Sequence, residues 1–371
     1  MGLREDTLAI LHYENYEKMP IVHFGYWSEL IAKWHEEGHI TDEEAINVQD
    51  NTPNEEIISK RLGFDFNWNT LFSGNYGLLP SFEPKILEVL PNGNVKMLDI
   101  NGVIVIEKPG NVSIPFEVDH LLKDRESWET HYKHRIQMSP DRLSPEYLSS
   151  FQTTEGRTKP IGIHCGSLYG EIRNYLGVEG SSYLQVDDED LFDEIIDTKA
   201  LMQYELVEAV LKTGAKPDYG HFWEDICFKN GPLISPAVFA RKVGPWYKKI
   251  CDLLLRYSID IVSLDCDGMI DSLIPIWLEN GVNTMFPIEV GTWGASIEPW
   301  RKKYGRAIRG VGGMDKTVFA KEYKDIDVEV ERLKHLVDLG GYIPCPDHRI
   351  PSDAKWENVQ YYCEKMRNVF R

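Results

Sequence analysis

The hydrophobic positions of this chain fall into two alternating kinds of segment. Short runs rich in β-branched and aromatic residues occur at 21–26 (IVHFGY), 64–68 (FDFNW), 161–165 (IGIHC) and 218–223 (DYGHFW). Four more follow at 259–265 (IDIVSLD), 282–286 (VNTMF), 307–313 (AIRGVGG) and 341–345 (GYIPC). Every run but the second is followed within a few residues by an amphipathic helical pattern. Such alternation predicts parallel strands joined by crossover helices, and eight units close a (β/α)₈ TIM barrel. Residues 1–371 are expected to form one such domain, with N-terminal helices ahead of the first strand.

Helix boundaries agree with this reading. Thr41 and Glu44 form a capping box, and Ser235 followed by Pro236 supplies an N-cap and first helical residue. Pro245 kinks or divides the helix that follows. Gly214, Gly281 and Gly305 stand at expected helix C-caps. The acidic run Asp187, Asp188, Glu189, Asp190, Asp193 and Glu194 opens a long helix towards Leu211, where it complements the helix dipole. One segment breaks the alternation. Residues 85–108 carry two turn pairs, Asn92-Gly93 and Asn101-Gly102, between β-rich runs, and predict an inserted antiparallel meander that helps roof the barrel mouth. Residues 120–150 are expected to cross back helically to the third strand.

Composition narrows the function. Forty Lys and Arg against 59 Asp and Glu give a net charge of −19, which opposes binding to nucleic acid or to an anionic membrane. No apolar run is long enough to span a bilayer, and the first residues lack the apolar core of a secretory signal. The six cysteines include no C-x-x-C pair, against a zinc ribbon or redox couple. A soluble cytoplasmic protein is expected.

Barrel enzymes act at the C-terminal ends of their strands, and this chain places reactive residues there. Tyr26 and Trp27 follow the first strand, Asn67 and Asn69 the second, and His164 with Cys165 the third. Glu224 and Asp225 follow the fourth, Asp265 and Asp267 the fifth, Glu289 the sixth, Asp315 and Lys316 the seventh. Cys345, Asp347 and His348 follow the eighth. In SLDCDGMID, Asp265 and Asp267 share one face roughly 7 Å apart along the strand, while Cys266 points to the helices. That carboxylate pair calls for a cation or a shared proton. PCPDHRIP presents a thiol, a carboxylate and an imidazole on a proline-stiffened loop; His348 can ligate a metal or act as an acid, and Asp347 can instead pair with Arg349. In HFWEDICF, Glu224 or Asp225 beside indole surface would have a raised pKa and serve as a proton donor. His221 is expected to be a satisfied core histidine. GVGGMDK lacks a phosphate-loop spacing; close backbone approach of a ligand is expected there, with Asp315 and Lys316 pairing locally.

These segments together resemble the uroporphyrinogen decarboxylase superfamily. PDYGHFWEDICFKNGPLISP, SLDCDGMIDSLIPIWLENGVN, FPIEVG, GVGGMDK and GGYIPCPDHRIP are most similar to its branch related to corrinoid-dependent methyltransferases, strongest over 160–365. GSLYGEIRNYLGVEG resembles the family's G-x-P-x-T-L-x-x-Y-x-x-E-G stretch at Tyr175, Glu179 and Gly180, and His348 falls on its last-strand histidine. The resemblance implies a TIM barrel and a possible homodimer. The arginines with which true uroporphyrinogen decarboxylases hold their polycarboxylate substrate have no counterpart in IVHFGYWSEL. The family's pyrrole-binding aspartate falls near Asn67 and Asn69. Tetrapyrrole decarboxylation is therefore disfavoured. The methyltransferase branch implies zinc on an H-x-C pair and a late cysteine; here Asp265, Asp267 and His348 stand there, with Glu289 nearby as a fourth ligand. Such a set suits a divalent metal that activates oxygen or nitrogen. The expected function is methyl transfer from a small O-methyl or N-methyl compound to the corrinoid of a partner protein, since the chain has no D-x-H-x-x-G corrinoid motif. Glu224, His348 and Asp265 are the expected catalytic groups. Tyr26, Trp27, Trp68, Tyr175, Trp223 and Trp293 are the expected substrate contacts. The alternatives are a small-acid decarboxylase and a non-catalytic ligand-binding barrel.

Overall fold

A computed structural model describes residues 1–108, 115–151 and 156–370. Its centre is a barrel of eight parallel strands. They are Val22–His23, Phe66–Asn67 continuing at Leu71–Phe72, Gly162–His164, Tyr219–Trp223, Val262–Asp265, Thr284–Phe286, Arg309–Met314 and Tyr342–Pro346. Neighbours pair in sequence order from the third strand to the eighth. The second strand is split: its first half pairs with the first strand and its second half with the third. A parallel bridge between Tyr26 and Ile350 completes the ring from eighth strand to first. All eight expected strands are present.

Alternation along the strands sorts the side chains into two cores. Phe24, Phe66, Trp68, Tyr219, Ile261, Phe286, Val311 and Ile343 fill the barrel, with Ile10 and Leu11 of the helix Leu3–Leu11 closing its lower end. Residues of opposite parity, such as Ile163, Phe222, Leu264 and Cys266, pack outward against the helices. Seven strands are followed by helices, for example Glu189–Lys212 after the third and Trp356–Val369 after the eighth.

After the second strand the helix is replaced by the meander. It has strands Lys85–Val89, Val95–Leu98 and Val103–Glu107, and a fourth at Phe116–His120 beyond the expected limit of 108. The capping box at Thr41 is made, and the chain divides at Val243 into helices Pro236–Lys242 and Gly244–Arg256. The acidic run opens its helix as expected, with Asp188 capping Leu191 N–H at 3.0 Å. Asp193 and Glu194 also tie that helix to Lys242, Arg125 and Lys133. No described helix is long and apolar enough to cross a membrane.

The glycines of GVGGMDK answer to the fold. Gly312 has φ +130, and a Cβ there would lie 1.5 Å from Pro287 O. The close approach that Gly312 permits is that of the neighbouring strand's loop at Pro287. Lys316 turns to Asp347 (3.7 Å) in place of Asp315, which caps Thr317 N–H at 2.9 Å.

Candidate active site

Strand register builds the mouth in two inward rows. His164, His221, Ser263 and Thr284 are successive partners across four strands, and one row above them Trp223, Asp265 and Phe286 are partners in turn. A cavity of about 240 Å³ opens above these rows, lined by Asp50, Asn69, His164, His221, Trp223 and Asp265, among others. Another cavity, of about 330 Å³, lies at the opposite end beside Arg4, His12 and Asp218. Loops at the strands' C-terminal ends surround only the first, which makes it the candidate site.

Asp265 is 9% exposed, and no hydrogen bond to its carboxyl is made among the described residues. Burial pushes its pKa well above the usual carboxylate range. The nearby carboxylates of Asp267, Asp225 and Asp50 push it further, against the opposing charge of Arg349. Burial and the neighbouring carboxylates thus favour the neutral form of the acid that faces the cavity. Asp267, two residues on, directs Oδ2 to Nε2 of His348 at 3.2 Å, while its buried Oδ1 meets no donor among the described residues. The His348 ring lies between aromatics: it stacks on Trp27 at 5.4 Å and meets the edge of Phe24 at 5.2 Å.

The two histidines of the lower row are held neutral by burial, with pKa values brought down to about 4 for His164 and about 3 for His221. His164 Nδ1 accepts the Gly166 N–H at 2.9 Å. His221 Nδ1 meets Ser263 Oγ at 2.7 Å. His221 is thus anchored through Nδ1 alone among the described residues and forms part of the cavity wall, where the sequence pattern suggests a core histidine. The rim is set by pairs the sequence reading did not identify. Arg349 binds Asp50 through both terminal nitrogens, and Asn67 Nδ2 donates to Asp50 Oδ1 at 3.0 Å. Arg349 therefore serves Asp50, not Asp347. Arg173 holds the Asp225 carbonyl oxygen at 2.7 Å and its carboxylate at 3.2 Å.

Several expected site residues have other work. Glu224 is fully buried and accepts from five donors: the backbone N–H groups of Leu168, Tyr169 and Gly170 (2.6–3.0 Å) and the hydroxyls of Ser167 and Tyr247. Burial raises its pKa while those donors oppose the rise. Its acceptor capacity is exhausted in fixing the loop that starts the helix Gly170–Asp187, so it is a positioning group and not a proton donor. Tyr26 packs outward, its hydroxyl on Ser59 Oγ at 2.7 Å. Trp68 is sealed inside the barrel, stacked on Tyr219 at 4.3 Å, and forms part of the core beneath the site. Tyr175 is buried against Tyr132 and donates to Glu171 Oε2 at 3.0 Å. Trp293 packs on Trp300 at 6.1 Å. Of the six aromatic contacts expected, Trp223 lines the cavity and Trp27 stands at the His348 rim.

The four expected metal ligands share one mouth without converging. Glu289 spends Oε2 on Gly268 N–H at 2.6 Å and Oε1 on Thr292 Oγ1 at 2.8 Å, and Asp267 is engaged with His348. Among the described residues no three His, Cys, Asp or Glu side chains are grouped to hold a metal ion. Asp265, Asp267, Glu289 and His348 as placed therefore do not fit a divalent metal, and the arrangement reads as an acid cluster with one imidazole.

Neither a family model nor a curated protein matches the sequence. Solved structures do match the fold. A methyltransferase from Methanosarcina mazei superposes with TM-score 0.64 at 14% identity, over 99% of this chain and 98% of that one. A candidate vitamin-B12-independent methionine synthase from Listeria monocytogenes gives TM-score 0.46 at 12% identity, over 96% and 99%, and carries no argument here. The likeness establishes the barrel fold and does not single out the uroporphyrinogen decarboxylase family.

Proposed function

We propose that this protein is a methyltransferase that takes a methyl group from a small O-methyl or N-methyl compound and delivers it to the corrinoid of a partner protein. The observation that carries the proposal is Asp265: a buried carboxyl with a raised pKa and no hydrogen-bond partner among the described residues, facing a cavity of small-molecule size. The fold shared with a methyltransferase supports it.

The corrinoid would supply the nucleophile that accepts the methyl group. About 240 Å³ of cavity admits a small compound but not a corrin ring, which fits a corrinoid carried outside on a partner. Trp223 forms the wall against which the compound lies. As the bond from methyl carbon to oxygen or nitrogen breaks, the departing heteroatom gains the electron pair, and Asp265 gives it a proton. General acids of this kind contribute ~10²–10⁴ in rate. His348, partly exposed and paired with Asp267, can then return a proton from solvent to the cluster. The acidic rim suits neutral or cationic compounds and repels anions.

The test is a screen of methoxylated and N-methylated compounds with free cob(I)alamin, followed by visible absorbance. Methylation of the cobalamin with release of the demethylated compound is expected. Release of CO₂ from a small acid without methyl transfer would instead establish the decarboxylase reading.

A further inference from the structure

The break in the second strand opens the flank of the barrel. Phe66–Asn67 pairs with the first strand and Leu71–Phe72 with the third. A cavity of about 490 Å³ lies at the break, lined by Asn51, Glu55, Ser59, Asn67, Thr70 and Lys159, among others, with the helix Pro53–Leu62 as one wall. It is larger than the candidate active site and borders it. Asn51, its Nδ2 on Asn69 O at 2.8 Å, lines both.

Glu55 is the group in this cavity that the protein leaves incomplete, although it is only 4% exposed. Its Oε1 accepts from Ser59 Oγ at 2.7 Å. Its Oε2 receives no hydrogen bond among the described residues and is not sealed from solvent. No Lys or Arg nitrogen of the described residues comes within 4 Å of the carboxyl; its basic neighbour is His23, with Nε2 3.2 Å from Oε1 and out of line for a hydrogen bond. His23 Nδ1 accepts the backbone N–H of Gly25 at 3.0 Å. A backbone N–H only donates, so Nδ1 holds a lone pair and the ring is no counter-ion. The other acids of the cavity are matched: Glu56 pairs with Lys159 at 2.6 Å and Asp65 with Arg367 at 2.9 Å. Lys60 is exposed at the rim, where water and salt screen it.

We propose that the flank cavity is a second ligand site, which takes a small primary amine with its ammonium group on Glu55 Oε2. A buried carboxylate with one unmet oxygen and no cation beside it is completed by a charge-assisted hydrogen bond. One open oxygen suits the point charge of an ammonium better than the two-pronged fork of a guanidinium, and it is too little for a divalent metal, which needs several protein ligands. Asn51 and Thr70 supply further polar groups on the same wall. The volume is that of a small-molecule site. This inference is independent of the methyl-transfer reading and needs no methyl acceptor.

Binding of two probes of the same outline to the full chain, n-butylamine and 1-butanol, measured by calorimetry at neutral pH and physiological salt, tests it. The wild type is expected to bind the amine about tenfold or more tightly than the alcohol. Glu55→Gln, which keeps an acceptor for Ser59, is expected to erase the preference, with thermal melting as the folding control. Asp265→Asn, at the barrel mouth, is expected to keep it. No measurable binding of the amine, equal affinities for the two probes, or a preference that survives in folded Glu55→Gln would overturn the site. So would a preference lost in Asp265→Asn, which would place the amine at the mouth. Should Glu55→Gln fail to fold, wild-type crystals grown with n-butylamine decide: density beside Glu55 supports the site, and its absence there overturns it.

Discussion

Asp267 and His348 face each other across the barrel mouth, Oδ2 and Nε2 3.2 Å apart, although one lies just past the fifth strand and the other just past the eighth. The contact ties the two ends of the site together and gives Asp267 a polar partner. Among the described residues Asp265 has no such partner, and the proposed chemistry rests on that difference between the two carboxyls.

Asp265 makes a pH-dependent contribution to stability. Its folded pKa is raised above its unfolded value, so above the usual carboxylate range the unfolded chain loses a proton that the folded chain keeps. Stability therefore falls as pH rises from that range to the raised value. Asp265→Asn removes the penalty. Thermal denaturation is expected to show a higher Tm for the variant at pH 7 and no gain at pH 3. A lower Tm at pH 7 would mean that the carboxylate is stabilised by something else.

Glu224 should behave in the opposite way. Truncation to Ala strands three backbone N–H groups and two hydroxyls, at a cost of about 3–5 kcal/mol in urea denaturation. Amide exchange over residues 167–171 should accelerate in step. Loss of activity with stability unchanged would return Glu224 to the catalytic group.

Gly25 holds the rim. With φ +91, it would place a Cβ 2.3 Å from Arg349 Nη1 and 2.6 Å from Asp50 Oδ1. Gly25→Ala is expected to cost about 1–3 kcal/mol and to weaken ligand binding by displacing the Asp50–Arg349 pair. Unchanged denaturation and binding would show that the rim tolerates the shift.

Zinc titration checks the acid cluster. Because Glu289 and Asp267 are already engaged, the wild type is expected to show no stoichiometric zinc binding that His348→Ala removes. Tight binding lost in that variant would show that the Asp267–His348 pair opens to a metal.

The barrel was legible because its strands are short runs of β-branched and aromatic residues separated by capped helices. Parity along the fifth strand correctly separated Asp265 from Cys266, and the position of His348 after the last strand brought it to the same mouth. Facing was lost where the backbone leaves regular strand geometry. Tyr26 follows Gly25 at φ +91, and the second strand breaks between Asn67 and Leu71, which left Trp68 within the barrel. Pairs that join distant segments, such as Asp50 with Arg349 and Arg173 with Asp225, carry no local signal.

The most direct test of the account is the rate of methyl transfer to cob(I)alamin by the wild type and by Asp265→Asn, compared across substrates whose leaving groups differ in acidity. The variant is expected to be slower by ~10²–10⁴ for poor leaving groups, and the gap should narrow as the leaving group becomes more acidic. A variant that transfers methyl at the wild-type rate for every substrate would contradict the role assigned to Asp265.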